Sequence, residues 1–218
     1  MSFKYPQTKK QDLVENLHGQ DVPDPYRWME DLERDEIKDW IDAQNEITFD
    51  FLKQSPLRKK IQNRMTELWN YEKYSAPFKR AGRYFFMFNN GLQNQDVLYW
   101  MENLEAEPRL LIDPNALSED GTVALSGAAV SRDGQYLAYG LSEAGSDWQT
   151  WHVRRVDDGQ NLEDTVDWVK FSGASWDKDS QGFFYSRYEE PEGAALKQAN
   201  YFHKLYYHKL GTPQSDDE

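Results

Sequence analysis

The sequence predicts a mainly β protein: a partial, open β-propeller of about three blades, preceded by an N-terminal helical extension. Short aromatic strands alternate with turns of Asp, Gly, Asn and Ser from about residue 71 onward. A unit made of a charged turn and an aromatic strand recurs along this region, and a helical apolar pattern occupies residues 30–70. The predicted domains are therefore the extension, residues 1–72, and the first blades, residues 73–218.

The helical extension is predicted from two apolar stripes. Apolar residues fall on one helical face over residues 35–52. Ser55 and Pro56 then have the form of an N-cap followed by proline at the first position of a second helix. The apolar stripe of that second helix is Leu57, Ile61, Met65, Leu68 and Trp69. Both stripes are expected to be buried by packing.

The repeat is visible when Gly82, Gly134 and Ser180 are aligned, at steps of 52 and 46 residues (134 − 82 and 180 − 134). A period of about 40–50 residues built from short strands is typical of propeller blades. A generic antiparallel sandwich has similar turn spacing and stays open as an alternative. Because propellers have about four to eight blades, the three units do not close a ring, and their edges are expected to pair with another sheet or chain. Predicted strands lie within 82–90, 96–104, 134–142, 148–156, 182–188 and 204–210.

Composition narrows the class of protein. The chain is 39% apolar and 15% aromatic, which excludes a disordered acidic chain. Its net charge of −13 repels phosphate backbones and anionic lipids, so neither nucleic acid nor membrane is an expected partner. There is no cysteine, which excludes disulfides, a thiol nucleophile and thiolate metal sites. The first ten residues lack an apolar segment, so we expect no secretory signal and a cytoplasmic location. No cofactor or metal is predicted.

Ser175 is the first candidate for catalysis. Residues 173–176 read GASW, the start of the G-x-S-x-G nucleophile elbow, but position 177 is Asp. An elbow needs small residues around the serine and a helix after it, whereas Trp176 and a hairpin turn at 177–180 follow here. Ser175 is therefore predicted to be a strand residue that leads into a turn.

The histidines give no further catalytic motif. None of the four has an obvious carboxylate partner at motif spacing. His203 and His208 are five positions apart, which places them on opposite faces of a strand and argues against a shared metal ion. His152 is predicted to be a packed or surface residue, and His18 carries no motif.

Four segments, in order along the chain, carry a family resemblance. They read DPYRWMED at 24–31, SEAGSDW at 142–148, ASWDKDSQGFFYSRY at 174–188 and KLYYHKLGT at 204–212. They resemble the prolyl oligopeptidase segments DPYRWLED, S-x-x-G-S-D-W, A-W-x-x-D-x-x-G-F-F-Y-x-R-Y and K-x-Y-Y-H-x-L-G-T. Together they cover nearly the whole chain, which therefore resembles the N-terminal third of a prolyl oligopeptidase.

The resemblance implies a serine endopeptidase that hydrolyses short peptides on the carboxyl side of proline. In this family a helical extension packs on a C-terminal α/β-hydrolase domain, and a seven-bladed propeller caps the active site. The Ser-Asp-His triad and oxyanion hole lie in the C-terminal part. The implied partners are thus short proline-containing peptides and that hydrolase domain. No catalytic residue is expected in this chain, which should be inactive alone.

By resemblance, two residues are candidates for substrate binding. Phe171 matches a propeller phenylalanine that lines an apolar pocket for a side chain upstream of the proline. Asp147 matches an aspartate that faces the catalytic domain and can pair with an arginine there. The alternatives are a blade-core aromatic for Phe171 and a turn-capping carboxylate for Asp147. The segment at 24–31 is interpreted as a structural clasp between domains, in which Arg27 pairs with a hydrolase carboxylate.

A second hypothesis comes from a different class of protein. Here the 218 residues form a non-enzymatic binding module, an open β structure that docks peptides or a partner through exposed edges and apolar helix faces. It predicts cooperative unfolding. The peptidase hypothesis instead predicts marginal stability and exposed apolar surface when this part is isolated.

Overall fold

The computed structural model describes residues 4–32, 34–191 and 201–218. The chain divides into two compact units, Met1–Leu68 and Trp69–Glu218. The break falls between residues 68 and 69, whereas the change of texture in the sequence predicts it between 72 and 73. In the described part of the chain, no helix is both long enough and apolar enough to cross a bilayer.

The first unit begins with a hairpin that the sequence did not predict. Strands β1 (Val14–Leu17) and β2 (Gln20–Pro23) pair antiparallel. His18 and Gly19 join them with φ values of 54° and 83°, the pair of positive angles that a tight two-residue hairpin requires. A short 3-10 helix, Arg27–Glu30, follows and buries Trp28.

Two α-helices complete this unit: α1 is Asp35–Lys53 and α2 is Arg58–Trp69. The predicted helix is confirmed for α1, although the predicted burial of its stripe is not: Ile37 is buried, whereas Ile41, Phe51 and Leu52 are exposed. The predicted start of α2 is wrong. Pro56 lies in a turn before the helix, and the backbone N–H of Arg58 donates to the carbonyl oxygen of Ser55 at 3.3 Å. Ser55 therefore closes a turn with its backbone and does not cap α2.

The predicted burial of the second stripe is also not found. Its five side chains are exposed by 53–64%. The helix can form without this burial because its internal backbone N–H groups bond along the helix itself.

The second unit starts with an antiparallel sheet of five strands. Both β3 and β4 pair with β5, and β5 is followed in the sheet by β6 and then β7. The strands are β3 (Lys73–Tyr74), β4 (Phe78–Arg80), β5 (Arg83–Asn89), β6 (Val97–Met101) and β7 (Arg109–Ile112).

Seven further strands form the second sheet. Strands β8 to β11 are an antiparallel meander, and β12, β13 and β14 form a second antiparallel group that joins it where Val169 of β11 pairs with Arg187 of β13. All six strands predicted from the sequence are confirmed, as β5, β6, β9, β10, β13 and β14. The strands are β8 (Val123–Val130), β9 (Tyr136–Glu143), β10 (Gln149–Arg155), β11 (Asn161–Val169), β12 (Ser175–Trp176), β13 (Gly182–Arg187) and β14 (Lys204–Lys209).

The repeat predicted from the sequence has a backbone cause. The three aligned residues Gly82, Gly134 and Ser180 have φ values of 87°, 73° and 57°. Each lies in a hairpin turn just before an aromatic strand, where the chain has to adopt the left-handed conformation. Glycine adopts it freely, and Ser180 does so while its hydroxyl accepts a hydrogen bond from the N–H of Asp133 at 3.1 Å.

Strand β9 connects two hydrophobic cores. Leu137 and Tyr139 belong to the core shared with the first sheet, and Ala138 belongs to the core shared with β13. Successive side chains of a strand point to opposite faces, so one strand can bury residues on both sides. Trp151 fills the second core against Gly140, where an added Cβ would lie 2.7 Å from its indole ring. This stacking of sheet on sheet is how adjacent propeller blades pack.

Candidate functional site

The structure brings the two predicted site residues together around a third, Lys170. Lys170 Nζ lies 3.7 Å from Asp147 Oδ2 and 5.2 Å from the centre of the Phe171 ring. Asp147 comes from the β9–β10 loop, whereas Lys170 and Phe171 directly follow β11. The two segments are adjacent because β10 and β11 pair antiparallel, with Gln149 opposite Val169. Sequence reasoning did not identify Lys170, since a lysine after a strand carries no motif.

Phe171 is not a blade-core aromatic. Its residue surface is 67% exposed, so its ring is available to another molecule. Its φ of 56° is in the left-handed region, which costs on the order of 1–3 kcal/mol for a residue other than glycine. Trp168 in the same segment has a φ of 61°. Backbone strain of this kind concentrates at binding and catalytic sites, which favours a functional position over a packing position.

Asp147 does not cap its turn. The cap is Ser146, whose hydroxyl accepts a hydrogen bond from the N–H of Trp148 at 3.1 Å. The Asp147 carboxylate is exposed instead, and its ion partner among the described residues is Lys170. The Lys170 side chain is only 12% exposed, and its Nζ lies 5.0 Å from the centre of the Trp148 ring. The ammonium is therefore held between one carboxylate and two aromatic rings.

An aromatic cluster supports this arrangement. Trp148 meets Trp168 and Tyr188 edge-on, with centroid distances of 5.9 Å and interplanar angles of 83° and 86°. Tyr188 also stacks on His203 at 4.5 Å. His203 precedes β14, as the predicted strand at 204–210 implies, so the argument about opposite faces of one strand does not apply to His203 and His208.

Ser175 lies in β12, opposite Phe184 of β13, and the chain then turns into β13, so the predicted hairpin is confirmed. Nothing resembling an elbow is built around it: the N–H of Asp177 donates to the carbonyl oxygen of Gly182 at 3.0 Å, and a strand follows the turn. The serine is thus held in a sheet geometry, without the strand-to-helix turn that exposes a nucleophile.

His208 has two carboxylate partners, neither of them at a motif spacing. It is completely buried and lies between Asp164 of β11 and Asp217 of the C-terminal segment. These partners are 44 and 9 positions away, so no local motif reveals them. Within residues 4–32, 34–191 and 201–218, no group of three or more acidic or histidine side chains is arranged to hold a metal ion.

Arg27 has carboxylate partners inside this chain, and its predicted link to a hydrolase domain stays a prediction. Its guanidinium pairs within the first unit, with Glu15 of β1 and with Asp24, whose Oδ2 lies 2.6 Å from Nε. The indole Nε1 of Trp28 donates to the carbonyl oxygen of Lys9 at 3.1 Å. The segment at 24–31 therefore fastens the N-terminal strand segment to its own unit.

Stacked antiparallel sheets of this repeat define a propeller-type protein. Residues 5–218 match the family described as "Prolyl oligopeptidase, N-terminal beta-propeller domain", and the chain belongs to this family. It is 42% identical to a prolyl endopeptidase of Elizabethkingia meningoseptica over 99% of this chain and 30% of the relative. It is 36% identical to prolyl oligopeptidase A of Amanita bisporigera, over 98% of this chain and 32% of the relative.

Solved structures agree with this assignment. One, from work on inter-domain dynamics in two prolyl endopeptidases, superposes with a TM-score of 0.90 at 33% identity and covers 99% of this chain and 32% of that chain. Another is prolyl oligopeptidase B from Galerina marginata bound to a 35mer substrate, with a TM-score of 0.84 at 32% identity over 98% of this chain and 33% of that one. The open propeller is confirmed, and the sandwich alternative is excluded. The chain spans about a third of the length of these relatives.

Proposed function

We propose that this chain is the propeller-containing N-terminal part of a serine endopeptidase that hydrolyses short peptides after proline. The observation that carries the proposal is the match of residues 5–218 to the family, together with relatives named prolyl endopeptidase and prolyl oligopeptidase. Its partners are then short proline-containing peptides and an α/β-hydrolase domain. A cytoplasmic location is part of the proposal, and cell fractionation tests it.

In this proposal the chain shapes the substrate site while the hydrolase domain performs the chemistry. The Ser-Asp-His triad of the family accounts for acyl transfer, and none of its members is assigned to this chain. The sheet position of Ser175 supports that division, since its hydroxyl has no strand-to-helix elbow. The chain alone is therefore expected to be catalytically inactive.

Phe171 and Asp147 have separate roles in this proposal. The exposed Phe171 ring forms an apolar wall for a substrate side chain upstream of the proline. Asp147 presents an exposed carboxylate to an arginine of the hydrolase domain, and its 3.7 Å ion pair with Lys170 keeps it oriented without enclosing it. Both positions follow from β10 and β11 being neighbours in one sheet.

Two measurements test the division of labour. The chain alone is treated with a fluorophosphonate probe, and no labelling is expected; stoichiometric labelling that disappears in Ser175→Ala would overturn the claim of inactivity. Residues 1–218 are also joined to the remaining part of the Elizabethkingia meningoseptica relative. The chimera is expected to cleave a fluorogenic peptide after proline. A folded but inactive chimera, beside an active native relative, would favour the non-enzymatic binding module instead.

The role of Phe171 has a matched control in the same chain. Phe202 is also exposed, by 80%, and also has a positive φ, 62°. In the chimera, Phe171→Ala should lower kcat/KM roughly tenfold for a peptide with a large apolar residue upstream of the proline, about the value of one lost apolar contact. A peptide with glycine there should be unaffected, and Phe202→Ala should change neither. Equal losses for both peptides would contradict a pocket role.

A further inference from the structure

A cavity of about 560 Å³ opens beside the candidate site, within the second unit. It lies on the face of β10 that carries Thr150 and His152, the side opposite the buried Trp151. Its other walls come from the end of β9 and the end of β11. Cavities of 300–1,000 Å³ are the usual size for small ligands and for one or two side chains of a peptide.

Two indole rings form one corner of this cavity. Trp148 and Trp168 both line it, and their planes meet at 83° with centroids 5.9 Å apart. Indole surfaces bind cations by their ring quadrupole, and tryptophan does so best among the aromatic side chains. Trp148 already binds one cation in this structure, the Lys170 ammonium at 5.0 Å. The ring therefore lies in an environment that accepts positive charge.

Two carboxylates line the same cavity, those of Glu143 and Asp167. Asp167 is oriented by its neighbour, because Thr150 Oγ1 donates to its Oδ1 at 2.8 Å. Among the described residues, no lysine or arginine ion pair is formed with either carboxylate, and no lysine or arginine lines the cavity. Burial lowers the pKa of His152, and the positive charge of Arg154 lowers it further. The carboxylate of Asp167 acts in the opposite direction but has a smaller effect than burial, so this ring is neutral at pH 7. The lining is thus negative.

We propose that this cavity binds the guanidinium group of an arginine side chain in a peptide. A guanidinium is planar and weakly hydrated, so it stacks on indole surfaces and at the same time donates paired hydrogen bonds to carboxylates. An ammonium group is compact and strongly hydrated, and it uses flat aromatic walls less well. This site adds an arginine preference to the propeller surface, and it does not depend on the proposed peptidase activity.

The experiment is a calorimetric titration of the 218-residue chain with N-acetyl-arginine amide, beside the citrulline and lysine amides. Citrulline has the shape of arginine without its charge. Arginine amide should bind saturably, at least tenfold more tightly than citrulline amide and more tightly than lysine amide. Equal affinities for arginine and citrulline, or no saturable binding of arginine, would overturn the site. Equal affinities for arginine and lysine would overturn the guanidinium assignment.

Variants locate the binding. Glu143→Gln and Asp167→Asn should each weaken arginine binding at least fivefold, and Trp168→Phe should weaken it less. Glu107→Gln is the control, because it removes the same charge from an exposed residue that lies outside the cavity lining. An equal loss in Glu107→Gln would show attraction by overall charge only and would overturn the site. Since Asp167 is held by Thr150, Glu143→Gln is decisive if Asp167→Asn fails to fold.

Discussion

His208 lies between two carboxylates: its Nδ1 is 2.7 Å from Asp217 Oδ1, and its other ring nitrogen, Nε2, is 3.1 Å from Asp164 Oδ1. All three side chains are buried, with 0–3% of each exposed. A protonated imidazole ring can donate from both nitrogens at once, so this arrangement of two carboxylates favours the protonated form of His208. The Tyr185 hydroxyl donates to Asp217 Oδ2 at 2.5 Å, and the N–H of Gly211 donates to Asp164 Oδ1 at 2.6 Å.

Stability should therefore depend on pH through this group. Burial alone would lower the pKa of His208, but the hydrogen bonds that the protonated ring donates to Asp164 and Asp217 outweigh it and raise that pKa. A raised histidine pKa contributes stability fully below about pH 6.5 and loses it as pH rises through the raised value. Burial alone would raise the pKa of Asp164, but the hydrogen bonds that its carboxylate accepts, first among them the one from His208, lower that pKa. That contribution is present above about pH 3.9 and is lost as pH falls.

Chemical denaturation between pH 3 and 9 checks this. The free energy of unfolding should be highest between about pH 4 and 6.5 and should fall on either side. His208→Gln should lower it by about 3–5 kcal/mol within that window, because it leaves buried carboxylates without their cation. The alkaline fall should also become shallower in His208→Gln. His18→Asn is the control, since His18 is exposed in a hairpin turn. If both variants changed the pH profile of the unfolding free energy equally, the assignment to His208 would be contradicted.

Gly182 should not tolerate a side chain. A Cβ added there would collide with the carbonyl oxygen of His208 and would lie 2.6 Å from the Tyr207 hydroxyl. Gly182→Ala should therefore destabilise the protein by about 3 kcal/mol or more, because backbone atoms cannot move aside as flexible side chains do. Gly173→Ala is the matched change, with nothing within 4 Å of the new Cβ and an effect within about 0.5 kcal/mol. Thermal melts compare the two, and similar melting temperatures would refute the packing explanation.

Replacing Phe171 should not lower the stability of the chain, even though it should lower activity. Asparagine adopts the left-handed conformation more readily than phenylalanine does, and Phe171 has little buried surface to lose. Phe171→Asn should therefore be as stable as the parent chain or up to about 1 kcal/mol more stable. In the chimera the same variant should lose activity toward peptides with an apolar residue upstream of the proline. A clear loss of stability would show that the ring serves packing.

Trp176 should stabilise the fold through the hydrogen bond of its indole N–H. Its Nε1 donates to the carbonyl oxygen of Ala129 in β8 at 2.8 Å, and the ring is 6% exposed in the core around β13. Trp176→Phe removes this hydrogen bond, which should cost about 0.5–1.5 kcal/mol. The exposed Trp69 offers the comparison, since Trp69→Phe should change the free energy of unfolding by less than about 0.5 kcal/mol. Denaturant midpoints measure both, and equal shifts would count against the hydrogen bond.

Local pattern explains why so much of the fold was predictable. The aromatic strands were predictable because residues next to each other in the sequence show both the apolar pattern of a strand and the turn residues that bound it. In β9, for example, the neighbours Leu137 and Ala138 face different cores. The start of α2 was missed because Ser55 satisfies the backbone of Arg58 with its carbonyl oxygen, a choice that composition does not reveal. The β1–β2 hairpin was missed because its strands are short and mostly exposed.

The candidate site depended more on contacts between distant residues. Phe171 and Asp147 were named from a family resemblance, but the lysine that connects them was not, since its role exists only where the β9–β10 loop meets the end of β11. The same holds for the cavity lined by Glu143 and Asp167, since nothing in the sequence shows that these two carboxylates lie beside one cavity.

By itself the sequence determined the two helices, six of the strands, the blade repeat with its turns, and the resemblance to prolyl oligopeptidases, because each is carried by residues close together in the chain. Only the tertiary structure decided that His208 is buried between Asp164 and Asp217, and that Phe171 is exposed beside Lys170. Charge pairing, burial and cavity shape arise where strands far apart in sequence become neighbours in a sheet, and spacing along the chain does not encode those distances.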